Sequence, residues 1–271
     1  MSIWKGHNMS PPNLRNVLPS DASLKAMKAA SRRINHQALN LVFPPQSLLT
    51  GQPSHGRDME SELWGAVTFL DQPCCACCGF PFEFTLGSDS LCGRCAARQP
   101  AYSRVRSAFQ YDDNSRKLVL DFKHGGRTTG LSVFAGHMRR AGRDLLSDAS
   151  FVVPVPLHPS RLRARRYNQS TLLARAVALP KFDADILMRH RATLTQGSQS
   201  TRGRRSNVSG AFRIRQAAKP RLKGARITLI DDVFTTGATL EACARALKRA
   251  GSGPVDALTL ARVVKPQDIP T

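Results

Sequence analysis

The chain has 271 residues, enough for one large or two modest domains with a substantial core, and its 40 Lys and Arg against 19 Asp and Glu leave a formal net charge of +21. A charge of that size favours polyanionic partners such as nucleic acid, anionic lipid or phosphorylated substrates. No apolar stretch approaches the ~18 residues of a membrane span, and the first residues lack the apolar segment of a secretory signal, so the chain is expected to be cytoplasmic and its seven cysteines reduced.

Residues 1–36 are polar, basic and poor in aromatics, and they read as a disordered basic tail in which Ala22 to Ile34 makes at best a weak helix. Residues 37–100 cluster Cys, Gly and Pro between short apolar pieces, as expected of a small metal-stapled module. Its core signal is Cys75-x2-Cys78-Gly79 and Cys92-x2-Cys95, separated by 13 residues. Two such pairs, each on a tight turn, can converge into a tetrahedral thiolate site for structural Zn²⁺. Cys74 and Cys77 have the same spacing; Gly79, which frees backbone N–H groups to point at sulfur, favours Cys75 and Cys78. Four reduced, buried cysteines without metal are the alternative. Upstream, Phe43 to Gly51 has the outline of a further knuckle with Ser47 and Thr50 in the thiol positions. Hydroxyls are poor zinc ligands at neutral pH, so one zinc is expected. Cys243, alone in a later helix, reads as a core residue.

Residues 101–271 alternate as an α/β domain does. Strands are expected over Arg104–Tyr111, Phe151–Leu157 (interrupted by Pro154 and Pro156), Ile227–Ile230 and Val255–Val264. Helices are expected over Asp113–Lys123, Leu131–Leu145, Gln169–Ala178 and Leu240–Arg249. Between Ser150 and Ile230 the only acids are Asp183 and Asp185, against 17 Arg and Lys, which predicts a basic face. Arg191 to Phe212 has no apolar periodicity and reads as a mobile loop carrying Arg202, Arg204 and Arg205.

The most informative stretch is Ile227-Thr228-Leu229-Ile230-Asp231-Asp232-Val233-Phe234-Thr235-Thr236-Gly237-Ala238-Thr239-Leu240. A buried parallel strand ends in two carboxylates, and a Thr/Gly turn opens into a helix. Ligands of open α/β sheets bind at the carboxyl ends of strands. A helix N-terminus there offers N–H groups and a positive dipole end to a phosphate. Thr235, Thr236 and Thr239 add hydroxyls, and Gly237 lets the backbone approach closely. The two acids suit vicinal ribose hydroxyls, directly or through Mg²⁺. Together these parts describe a ribose 5-phosphate site. An ATPase metal strand would need a Gly-x4-Gly-Lys-Ser/Thr partner loop, and the chain has no Gly-Lys pair. A purely structural strand-turn-helix would not be expected to set two acids against such a turn.

This string resembles the phosphoribosyl-diphosphate (PRPP) signature of type I phosphoribosyltransferases. From about Leu39 to Val264 the chain further resembles the ComF family of competence-associated, amidophosphoribosyltransferase-like proteins. The resemblance rests on Phe43 to Gly51 (both cysteines lost), Trp64 preceded by Glu60 and Leu63, Cys75 to Cys95, Phe122-Lys123-His124-Gly125, and Val153 to Pro159 followed by Arg161, Arg165, Arg166, Tyr167, Asn168 and Gln169. It implies a phosphoribosyltransferase-like fold with a parallel sheet, preceded by a zinc-ribbon-like module. It implies a PRPP site at Asp231, Asp232, Thr235, Thr236, Gly237, Ala238 and Thr239. Pyrophosphate would face Lys123, Val155, Arg165 and Arg166, with Arg202, Arg204 and Arg205 on a closing lid. Arginine forks suit that anion, although Arg161 to Arg166 also reads as a solvated basic helix start, and His158 as a satisfied turn residue. Two functional readings follow, linked by DNA uptake. One is a transferase releasing pyrophosphate from PRPP; the other is a non-catalytic single-stranded DNA-binding competence factor or PRPP-sensing regulator serving the DNA-uptake machinery.

Overall fold

The computed structural model describes residues 61–124, 130–165, 167–191, 208 and 210–264, all within one compact unit. The basic tail and the thiol-less knuckle at 43–51 lie outside the described residues, as do Arg166, Arg202, Arg204 and Arg205.

Four strands form a parallel sheet: β1 (Val105–Gln110), β2 (Phe151–Pro154), β5 (Ile227–Phe234) and β6 (Val255–Arg262), in the order β1-β6-β5-β2. The central β6 is buried at every position, as a parallel strand covered on both faces must be. Alternation along the strands sorts side chains to two cores. On one face Ile227, Leu229, Val255 and Ala257 meet Leu222 of a one-turn helix, α8 (Lys219–Leu222), and Leu240, Cys243 and Leu247 of α9 (Ala238–Arg249). On the other, Ile230, Leu258 and Leu260 meet Phe122 of α3 (Asp113–His124), Phe134 and Met138 of α4 (Leu131–Ala141), and Leu173 of α7 (Gln169–Ala178). Each such fully buried side chain contributes about 1.5–3 kcal/mol relative to exposure. Cys243 is a core residue, as expected, and burial raises its thiol pKa.

The helix expected over Leu131–Leu145 is two helices, α4 and α5 (Arg143–Asp148), broken at Gly142. A Cβ there would lie 2.6 Å from Leu258 Cδ2, so the chain needs a residue without one to approach the sheet. β5 is longer than expected: it runs through Asp231 and Asp232 to Phe234, so both acids lie within the strand. A short antiparallel pair, β3 (Leu187–Arg189) with β4 (Phe212–Ile214), was not anticipated. It clamps both ends of the segment read as a basic lid, most of which lies outside the described residues.

At the start of the sheet Asp256, wholly buried, accepts from Arg104 Nε at 3.2 Å and Nη2 at 2.7 Å, and from Arg226 Nη1 at 2.9 Å. Asp148 joins Arg104 at 2.7 Å. The network ties β1, α5 and the entry to β5 onto β6.

The residues before β1 pack directly on this body. A short helix, α1 (Ser61–Ala66), carries Trp64, which stacks on Phe69 at 5.7 Å and meets Phe134 edge-on. His137 lies against both Trp64 and Phe69, and burial lowers its pKa. Val105 N–H donates to the Cys77 carbonyl at 2.7 Å. Among the described residues no helix is long and apolar enough to cross a membrane.

Candidate functional site

Beyond Phe234 the chain turns through Thr235 and Thr236 to Gly237, the N-cap of α9, with φ +71°. A side chain is excluded there by packing as well as by φ. A Cβ would lie 2.9 Å from Phe234 Cζ and 3.1 Å from the Tyr102 hydroxyl. Gly237 is therefore demanded by the aromatic floor under the loop, a reason the sequence did not reveal. Thr236 Oγ1 accepts weakly from Ala238 N–H at 3.4 Å. Asp231, Thr235, Thr236, Gly237, Ala238 and Thr239 line one small cavity at the start of α9. A second cavity, on the side of the cysteine module, is lined by Arg94, Arg98, Tyr102, Thr236, Gly237 and Glu241.

The two acids differ in their supports. Asp231 Oδ1 accepts from Ser170 Oγ and from Asp232 N–H, each at 3.0 Å. Asp232 Oδ1 accepts from Val233 N–H at 2.6 Å. Ser170 stands in the first turn of α7, whose N-cap Asn168 accepts from Ser170 N–H and donates to the Val155 carbonyl at 3.0 Å. The Tyr167 hydroxyl donates to the Phe122 carbonyl at 3.0 Å. The Tyr167–Ser170 stretch is thus a brace between β2 and the acidic end of β5. Ser170 was not singled out from sequence; an Asn opening an apolar-periodic run was the available cap signal.

On the opposite wall, β2 ends at Pro154, but Val155 N–H still donates to the Ile230 carbonyl at 2.9 Å. With its carbonyl engaged by Asn168, Val155 has its backbone committed to the scaffold. His158 Nδ1 pairs with Ser160 Oγ at 2.8 Å and accepts from Ser160 N–H, a satisfied turn histidine opening α6 (Pro159–Arg165). Lys123 stands in the last turn of α3, and Arg165 is the last residue of α6. In the basic stretch, Asp183 pairs with Arg221 at 2.7 Å and Asp185 with Arg215 at 3.8 Å. Lys181 donates to the carbonyls of Leu146 and Ser147. Part of the positive charge counted from sequence is therefore tied to the fold.

Four thiols converge behind the loop. The Sγ atoms of Cys75, Cys78, Cys92 and Cys95, all buried, lie within 4.8 Å of one another. Cys78 and Cys92 are 3.6 Å apart. Four sulfurs at the usual Zn–S distance of ~2.3 Å from one tetrahedral ion stand roughly 3.8 Å apart, so the donor set fits a single metal ion with small adjustments. Cys78 N–H and Cys92 N–H both point at Cys75 Sγ, at 3.4 and 3.3 Å. Hydrogen bonds from Cys78, Cys92 and Cys95 hold the Cys75 thiol well below the usual thiol range. Cys95 is pushed up, first by its hydrogen bond with Cys75. The register thus falls on Cys75 and Cys78, with Cys74 half-buried beside them. Gly79, at φ +67°, lets its turn abut the Val105 carbonyl, which a Cβ would approach to 2.5 Å.

A buried arginine also ties the cysteine centre to the end of the sheet. Arg262, at the end of β6 and 1% exposed, donates from Nη1 to the Cys78 carbonyl at 2.6 Å. Its guanidinium lies between the rings of Phe80 and Phe234, 5.5 and 4.9 Å from their centroids. Arg94 from α2 (Gly93–Ala97) lies over the same Phe234 ring at 5.5 Å.

No family model matches the chain. It is similar to DNA utilization protein YhgH of Escherichia coli (strain K12), 30% identical over 208 residues, which cover 73% of this chain and 88% of the relative. It is similar to Competence protein F of Haemophilus influenzae, 28% identical over 199 residues, 70% of this chain and 85% of the relative. Competence protein ComFC of Bacillus subtilis (strain 168) is 30% identical over 159 residues, 58% and 63% of the two chains. Solved structures with partial likeness include a hypoxanthine phosphoribosyltransferase from Staphylococcus aureus, 16% identical, covering 52% of this chain and 68% of that one at a TM-score of 0.32. An orotate phosphoribosyltransferase from Aeropyrum pernix is 16% identical and covers 58% and 80% at 0.32. At 30% identity to YhgH over 88% of that relative's length, the chain belongs to the ComF family.

Proposed function

We propose that this ComF-family chain binds PRPP with Mg²⁺ at the end of β5 and serves DNA uptake. The observation that carries the reading is the convergence of Asp231, Thr235, Thr236, Gly237 and Thr239 on one cavity at the N-terminus of the 12-residue helix α9. Backbone N–H groups and threonine hydroxyls there suit the 5-phosphate. Asp231 and Asp232 suit the ribose hydroxyls, and Mg²⁺ held with them would neutralise the pyrophosphate. Pyrophosphate would face the turn that begins at Val155, with Lys123, Arg165, Arg166 and the arginines at 202, 204 and 205 as its cations. If an acceptor attacks the anomeric carbon, these preorganised charges would stabilise the departing pyrophosphate with no nucleophilic side chain required. The cysteine centre is proposed to hold one structural zinc.

Calorimetric titration with PRPP, with and without Mg²⁺, is the direct test. Mg²⁺-dependent binding is expected; no binding under either condition would remove this reading. Pyrophosphate release on adding candidate acceptors separates an enzyme from a PRPP-responsive binding protein.

A second property is favoured by the basic stretch 150–230 and by the relatives' names, a DNA utilization protein and a competence protein. We propose that this face binds single-stranded DNA through its phosphates. Aromatic residues make up 6% of the chain, so charge dominates over base stacking. The two properties are compatible, since a PRPP site that draws on the same arginines would tune DNA binding by competition.

A further inference from the structure

We propose that Arg262 is the counter-charge of the metal–thiolate centre and the positioning residue through which that centre supports the phosphate loop. The inference rests on the metal and PRPP readings given above and adds a coupling between them.

A buried guanidinium is costly unless an opposite charge lies close by. Among the described residues no carboxylate pairs with Arg262, and its Nε is buried with no hydrogen-bond partner. The groups beside it are the Cys78 carbonyl at 2.6 Å, Cys78 Sγ at 3.9 Å, and two aromatic faces. Aromatic faces attract a cation but carry no net charge. A divalent ion held by four thiolates carries two net negative charges. That centre, with Cys78 as one of its ligands, is the compensating charge the arginine otherwise lacks. Groups that hydrogen-bond or orient metal ligands in this way commonly matter ten- to a hundredfold for metal affinity.

The other side of Arg262 leads to the loop. Phe234 is its partner across the β5–β6 ladder, and the Phe234 ring lies against the guanidinium. The same ring forms the floor under Gly237, together with Tyr102, which meets it edge-on at 6.3 Å. Arg94, carried between Cys92 and Cys95, rests on that ring as well. The metal centre therefore reaches the Thr235–Thr239 turn through a packed path of Cys78, Arg262 and Phe234. Losing the metal charge would leave Arg262 seeking water and loosen the floor on which the turn sits.

The test uses the full chain, zinc and ribose 5-phosphate. In chelator competition, Arg262→Gln should lower zinc affinity roughly ten- to a hundredfold, whereas Arg262→Lys, which keeps the charge, should recover most of the loss. A merely structural role would make the two variants alike. On wild type, saturating ribose 5-phosphate should raise zinc affinity by the same factor by which zinc raises ribose 5-phosphate affinity, because coupling is reciprocal. This wild-type cycle needs no substitution and decides the coupling even if Arg262→Gln does not fold. Zinc uptake equal in both variants and indifferent to ribose 5-phosphate that does bind overturns this inference while leaving the metal and PRPP readings intact; no ribose 5-phosphate binding with or without zinc overturns the phosphate-site reading and the coupling with it. A wild-type chain that takes up no zinc overturns the metal reading and this inference with it.

Discussion

Replacing Gly237 with alanine should cost about 2–5 kcal/mol, and two separate effects add to that figure. Holding an ordinary L residue in the left-handed region costs roughly 1–2 kcal/mol, and Gly237 stands at φ +71°. Forcing a methyl into a packed site costs about 1–3 kcal/mol. Here the methyl would sit 2.9 Å from Phe234 Cζ, 3.0 Å from Cε2 and 3.1 Å from the Tyr102 hydroxyl. None of the three can withdraw easily, since Phe234 and Tyr102 are 1% and 3% exposed. Gly237→Asn separates the effects, because asparagine tolerates the left-handed region and keeps mainly the steric cost. Adding Phe234→Leu to Gly237→Ala should recover part of the steric cost and none of the conformational one. Urea unfolding gives the stability difference, and PRPP titration shows whether the damage is confined to the loop. Gly237→Ala within about 0.5 kcal/mol of wild type, the range of an ordinary surface change, and with unchanged PRPP affinity, would refute this account of the turn.

Elemental analysis of reduced protein should give one zinc per chain, and Cys92→Ala should abolish uptake and destabilise the module, since metal binding and folding are coupled. Asp232→Asn should weaken Mg²⁺-dependent PRPP binding by about 1–3 kcal/mol, the scale of a charge-assisted hydrogen bond; calorimetry showing no change would remove Asp232 from the site. Single-stranded DNA binding should be nearly sequence-blind, with log affinity falling against log salt at a slope of roughly −3 to −4 for about four to six phosphates. Neutralising Arg202, Arg204 and Arg205 together should flatten that slope, and an unchanged slope would exclude them from the interface. His137, whose pKa burial lowers, binds a proton more readily unfolded than folded. Its contribution is therefore complete above about pH 6.5 and lost as pH falls through the folded value; His137→Asn should flatten the acid limb of a stability–pH profile.

Local signals carried a large part of this fold. Gln169–Ala178 is helical over the span its cap and periodicity predict, and the order of strands and helices from Val105 to Arg262 follows the apolar runs. The cysteine spacing was enough to anticipate four converging thiols. What escaped depends on contacts distant in the chain. Gly142 was the available signal for the break, but the close approach to Leu258 that keeps a side chain out there lies far along the chain. Three-residue strands such as Leu187–Arg189 are too short to show a period. Asp231 and Asp232 looked like residues beyond a strand end because acids are rare inside strands; pairing with β6 extends the ladder through them. Arg262 lay unremarked within the strand expected over Val255–Val264, and its burial follows from the cysteine module folding over the end of β6.

Asp256, Arg104, Arg226 and Asp148 form a corner whose history must be collective. Asp256 is the fully buried member, and a chain that lost both its arginines would be left with an uncompensated buried charge, at a cost of roughly 3–5 kcal/mol. A lineage drifting toward apolar residues that gave up Arg104 and Arg226 before Asp256 would have to pass through that intermediate. The route is open only to chains with stability to spare, or to changes that arrive together. Arg104 and Asp256, 152 positions apart in sequence, should therefore co-vary across relatives as one unit of inheritance.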